Sequence, residues 1–167
     1  MWLMMGVYAK TNFGVPEYQY GWVATTNAAM VVTLQMLVTT FTRRFPPLWL
    51  LGTGTLLYAL ANGSVALASG FWGFWISMVI MTCGELILMP TASTHVANLA
   101  PADMRGRYMS LFGLSWPVAA GIAPVMGGIL SDRFGPPTIW YGGLSIGLVA
   151  TLVFVVLAKA KDRQTAG

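Results

Sequence analysis

Glu85 lies in the stretch "GELILMP", residues 84–90, and is the one acid in a run from Phe71 to Pro90 that otherwise carries no charge. A carboxylate in such apolar surroundings must be neutralised, paired or used. Its chemistry allows three roles. It can carry a proton, loading and releasing it as a cavity alternates between two sides of a membrane. It can pair with Arg107, or with Arg43 and Arg44, and latch a gate. It can also be a neutral, hydrogen-bonded packing group. Glu85 sits about two-thirds of the way along its apolar run, five residues before Pro90. That depth favours the latch, because a carrier group serving a central cavity belongs nearer the midplane.

Other polar residues in apolar runs are few: Asn27, Gln35, Asn62 and Ser77. Asn27 and Gln35 are eight positions apart and share roughly one helical face, drifting by about 80°. Trp75, Met78 and Met81 precede Glu85 and form an adaptable apolar wall, suited to greasy and varied substrates or to ordinary packing. With Asn27 and Gln35 they are the candidate substrate cavity. His95 has no second ligand or nucleophile beside it, so neither a metal site nor a catalytic base is expected. Cys83 is the single cysteine, which excludes an internal disulfide and any cysteine-based metal cluster. No cofactor and no enzymatic activity are expected.

These residues need elements to hold them, and composition says which. Of the 167 residues 56% are hydrophobic and 8% charged, and the mean hydropathy is +0.68. Soluble domains run near a quarter charged, so this chain could not cover a water-facing surface; the bilayer is its solvent. Five segments are long enough to cross about 30 Å of hydrocarbon as helices. They run approximately over residues 22–41, 48–67, 71–92, 108–130 and 138–158. Strands are excluded because the runs do not alternate, and backbone groups in lipid must pair internally. The opening "MWLMMGVYA", residues 1–9, is too short to span. It reads as the last turns of a helix whose beginning is missing, not as a signal peptide.

Strict alternation of five spans places Arg43, Arg44, Arg105, Arg107, Lys159, Lys161 and Arg163 on one side, with Lys10 and Arg133 on the other. The richer side is cytoplasmic by the positive-inside rule, so the carboxy terminus is cytoplasmic. The net charge of +4 is therefore topological, with anionic lipid as its partner. A nucleic-acid partner is excluded, since no basic face with stacking aromatics lies outside the spans. The helix over 108–130 carries Gly113, Gly121, Gly127 and Gly128 with Pro117 and Pro124. Small residues let backbones approach closely in lipid and prolines kink a helix, so this is a packing seam, a hinge, or both.

The stretches "EYQYGWVATTNAAMVVTLQ" (17–35), "RRFPP" (43–47), "LAPADMRGRYMSLFGLSW" (99–116) and "GIAPVMGG" (121–128) resemble the carboxy-terminal half of a major facilitator superfamily transporter, of the bacterial multidrug/proton antiporter type. The third is similar to the cytoplasmic loop between the family's helices ten and eleven. The fourth resembles the second-half copy of its antiporter glycine-proline signature. "GGILSDRFG" (127–135) matches a pattern that the superfamily usually places in a cytoplasmic loop, against the charge count, which sums over all loops and is preferred. "FTRRFPP" lacks that pattern's Asp and Gly and keeps only its basic pair.

The resemblance implies an all-α polytopic protein of the cell (inner) membrane, with five complete transmembrane helices and a partial first one. It implies one unit over residues 1–167, the six-helix carboxy-terminal half. The implied function is secondary active, proton-coupled export of a small hydrophobic or amphipathic compound, in a lipid bilayer and joined to an amino-terminal half. The alternative is a non-transporting membrane fragment of a truncated or split transporter.

Overall fold

The computed structural model describes residues 2–166, all of them in helices or short connections; Met1 and Gly167, which end two of the segments above, lie outside the described residues. The helices are α1 (Trp2–Phe13), α2 (Glu17–Thr42), α3 (Pro47–Leu67), α4 (Gly70–Leu99), α5 (Arg105–Phe134) and α6 (Thr138–Ala166). Five of them, α2 to α6, are long and apolar enough to cross a membrane. The breaks between them are chemical. Gly14, Gly70 and Gly135 take positive φ angles of 65°, 76° and 94°, a region open to residues without Cβ. Pro16 and Pro46 precede α2 and α3, and Pro47 occupies the first turn of α3, where its missing N–H is harmless.

Helix bounds differ from the sequence expectation in one consistent way: the helices are longer. α4 passes through Pro90 and continues to Leu99, so residues 93–99 are helical and the connection shrinks to residues 100–104. α5 begins at Arg105 and takes "SDRF" into its last turn. α6 carries Lys159, Lys161 and Arg163 as helix, not as a loose tail. Hydropathy marks where apolar lipid ends, whereas a helix ends where Gly, Pro or a cap stops it. Thirty residues at 1.5 Å each reach about 45 Å, enough for hydrocarbon and both headgroup layers.

α3 is the centre, packed against α4 on one side and α6 on the other, while α2 lies along α4. Small residues make these approaches possible. A Cβ added at Gly54 would come to 2.9 Å from the Leu88 side chain, and one at Gly147 to 2.8 Å from Ala59. In lipid, where apolar surface gains nothing from leaving its solvent, such close packing is what holds helices together. Thr151 adds a hydrogen bond to Thr55 at 3.1 Å between α6 and α3.

The buried cluster lies toward the end of the bundle where α1 crosses it. Met5 and Tyr8 of α1 meet Val23, Phe74, Met78, Met81 and Trp140 there. The Tyr8 ring stands edge-on to Trp140 at 5.4 Å and to Phe74 at 6.1 Å. α1 is thus a core element, although hydropathy alone marks it as too short to count. α5 is the opposite case. It touches α6 and α4 only lightly, and Gly127 is its one buried residue among those described.

Candidate functional site: the polar seam between α2 and α4

α2 and α4 run in the same direction, and four hydrogen bonds stitch them together. Near the α1 end Trp75 Nε1 donates to Thr26 Oγ1 at 3.0 Å. Deeper in, Asn27 Nδ2 donates both to Thr82 Oγ1 and to Glu85 Oε2, each at 2.9 Å. Farther along, Gln35 Nε2 donates to the Leu86 carbonyl at 3.2 Å and to Thr39 Oγ1 at 2.9 Å.

Asn27 is the hub. It is 7% exposed and Thr82 is fully buried, and both amide hydrogens of Asn27 are satisfied by α4. Thr82 in turn donates to the Met78 carbonyl at 2.8 Å, which leaves its oxygen free to accept from Asn27. Thr82 and Glu85 lie three residues apart, on neighbouring turns of one face. Thr82 is the residue that reading the sequence overlooks. Its signal was this spacing from an intramembrane acid.

The Gln35 contact has a different cause. Pro90 has no N–H, so the Leu86 carbonyl loses its helical donor. A free carbonyl in hydrocarbon is costly unless a neighbour supplies a bond. Gln35 supplies it, and the helix passes through Pro90 unbroken.

The expected arginine partners of Glu85 are elsewhere. Arg43 caps the end of α2, Arg44 is in the following turn and Arg107 is in the first turn of α5, all three exposed. Among the described residues Glu85 has no ion pair with any of them, and its partner is Asn27. The contact is short because Asn27 stands directly across the seam, while the arginines sit at helix ends.

Two cavity candidates are also placed differently. Met78 and Met81 are fully buried members of the core cluster. They fill space between helices, in one cluster with Met5, Val23 and Phe74. Trp75 is half-buried and fixed by Thr26, and Ser77 accepts from Ser64 at 2.8 Å. Asn62 donates to its own helix, at the Tyr58 carbonyl. Of the expected seam residues on α5, only Gly127 packs, against Met4 and Ile139. A Cβ at Gly113, Gly121 or Gly128 would meet nothing within 4 Å, and Pro117 and Pro124 are exposed. Among the described residues no other element packs against these three glycines. Among the described residues no group of three His, Cys, Asp or Glu side chains comes together as a metal site.

The chain is thus a bundle of long apolar helices with a part-buried amide–carboxylate contact between two of them. The sequence profile of the Major Facilitator Superfamily matches residues 1–167. The chain belongs to the Major Facilitator Superfamily. Among its relatives is a Na(+), Li(+), K(+)/H(+) antiporter of Planococcus maritimus, 28% identical over 126 residues, which are 75% of this chain and 28% of that protein. A riboflavin transporter of Clostridioides difficile is 30% identical over 138 residues, 74% of this chain and 29% of the transporter. An MFS-type transporter of Methanocaldococcus jannaschii is 25% identical over 150 residues, 90% of this chain and 39% of the other. This major facilitator chain therefore spans well under half the length of these relatives. No solved structure matches it. As a superfamily member with five spanning helices it is a multi-pass membrane protein.

Proposed function

We propose that the chain is the carboxy-terminal six-helix half of a secondary active transporter that couples export of a small hydrophobic or amphipathic compound to proton entry, with Glu85 as the proton carrier. The observation that supports this most is the 2.9 Å bond from Asn27 to Glu85 in the α2–α4 seam, with no cation beside the carboxylate among the described residues. A hydrogen bond to an ionised carboxylate is roughly twice as strong as one between neutral groups. Protonation of Glu85 therefore weakens the tie between α2 and α4, and deprotonation restores it. A seam whose strength follows the proton is a means of coupling helix movement to a gradient. Arg43, Arg44 and Arg107 then serve the membrane edge and the gate there, without a direct pair to Glu85 in this conformation.

The uncovered surface of α5 supports a greasy substrate. Leu111, Leu114, Val118, Ile122 and Val125 are all more than half exposed and stand beside the open glycines. They form an apolar wall that an amino-terminal half would face across a central cavity, with α5 as a bending element at Pro117 and Pro124. A second reading, exchange of an alkali cation for the proton, is favoured by the similarity to the Planococcus antiporter.

The test uses the carrier assembled with its amino-terminal half in proteoliposomes. Glu85→Gln should abolish gradient-driven transport and spare downhill exchange of substrate, and Asn27→Ala should weaken coupling without removing it. Retained gradient-driven transport in Glu85→Gln would refute the proton role. Rescue by charge reversal at Glu85 and one of the three arginines would establish the latch instead. Sodium flux in place of dye or drug flux would decide for the cation. Rocking of two halves is needed for alternating access, so this polypeptide alone should insert into membranes and not transport. Robust efflux from vesicles holding only this chain as a monomer would contradict that expectation.

A further inference from the structure

At the end of the bundle that carries Arg43 and Arg44, a cavity of about 400 Å³ opens between the last turn of α2, the start of α3 and the last turns of α4. Its polar lining comes from Thr39, Arg43, Thr91, Thr94, His95 and Asn98, and no carboxylate is among its lining residues. The side chains of Arg43, His95 and Asn98 make no hydrogen bond or ion pair among the described residues. A second concavity of about 510 Å³ adjoins it and shares Thr42, Phe45 and Leu50 with it. That one is a mostly apolar groove among α2, α3 and α4, lined further by Leu37, Val38, Phe41, Thr53 and Ile87. Leu37 and Phe41 are 68% and 62% exposed, so the groove is open along one side.

We propose that these two concavities together form a binding site for one anionic phospholipid of the adjoining leaflet, its phosphate held by Arg43, His95 and Asn98 and an acyl chain lying along Leu37, Val38, Phe41 and Ile87. The commitment to a lipid rests on continuity and charge. A cationic polar pocket fits a phosphate. A free phosphate would leave the attached apolar groove unused, and a zwitterionic lipid would bring its own headgroup cation close to Arg43. The site lies where α2, α3 and α4 meet and does not include Glu85 among its lining residues, so it stands apart from the transport reading. A lipid there would bridge the end of α2 to the end of α4, the same two helices joined by Asn27.

The full chain, purified in mild detergent and offered defined mixtures of phosphatidylglycerol and phosphatidylcholine, provides the test by native mass spectrometry. Wild type should retain one phosphatidylglycerol in preference to phosphatidylcholine. Arg43→Ala with His95→Ala should weaken that retention by about tenfold, the scale of losing charge-assisted contacts. Thr94→Phe, which fills the cavity and keeps every charge, should weaken it too and decides the matter if the double variant does not fold. Arg163→Ala, at the same end outside the cavity, should retain the lipid as wild type does. Equal retention in wild type and Thr94→Phe would overturn the site. So would an equal loss in Arg163→Ala, which would mean diffuse attraction to charge. Full displacement of the lipid by millimolar inorganic phosphate would also overturn it, in favour of a free-anion pocket.

Discussion

Pro90 and Gln35 show how single residues in this bundle depend on each other across helices. The carbonyl that Pro90 orphans is the one that Gln35 reaches, so each explains the other. Gln35→Leu should destabilise the bundle by about 1 kcal/mol, within the range of polar contacts between membrane helices. In a Pro90→Ala background the helix supplies its own N–H to Leu86, and the same Gln35→Leu change should lose most of its effect. Unfolding in mixed micelles with the two single variants and the double variant measures that coupling. Additive effects would show that the two residues act independently. Asn27 and Thr82 form a comparable pair, but with Glu85 as the third member, so under the proposed proton role their substitutions should change coupling as well as stability.

At the level of elements the division is between helices fastened by close approach and one that is not. Gly147 and Gly54 are tight because Ala59 and Leu88 stand within 3 Å of where a Cβ would be. Gly147→Val should therefore push α6 from α3 and destabilise the chain by about 1–3 kcal/mol, the usual scale of overpacking. Gly113→Val and Gly121→Val meet open space on α5 and should leave the stability of this chain close to unchanged. In the carrier joined to an amino-terminal half, the same α5 variants should impair transport. Thermal unfolding of the isolated chain beside flux in the joined carrier separates packing inside this chain from contact with the other half. A loss of stability in isolation from Gly121→Val would mean that α5 packs more closely than this structure has it.

For the whole molecule the testable quantity is orientation. The connection 100–104 and the end of α6 should face the cytoplasm, and the turn between α1 and α2 the outside, by the seven-to-two distribution of basic residues. In a Cys83→Ser background, Tyr18→Cys should react with an impermeant maleimide in intact cells, while Asp103→Cys and Gln164→Cys should react only after permeabilisation. Labelling of Gln164→Cys in intact cells would invert the topology and move the lipid site to the opposite leaflet.

Composition and apolar run length were enough to establish an all-helical membrane protein with five spans, because backbone groups in lipid must pair internally and runs that do not alternate cannot be barrel strands. The motif around residues 99–116 was enough to point to the superfamily. The special status of Glu85 was also legible, since an unpartnered acid in twenty apolar residues stands out in any reading. Its partner was not. Arg107 and the Arg43–Arg44 pair were reasonable by charge alone, but which side chain meets Glu85 depends on the rotation of α2 against α4, and that rotation is set by packing around Asn27, Thr82 and Trp75. Hydropathy could not show that helices continue past the lipid boundary, nor that Met78 and Met81 belong to the core. The residue types were compatible with both a core and a cavity wall, and only the placement of α1 over Phe74 and Trp140 decided that they are buried.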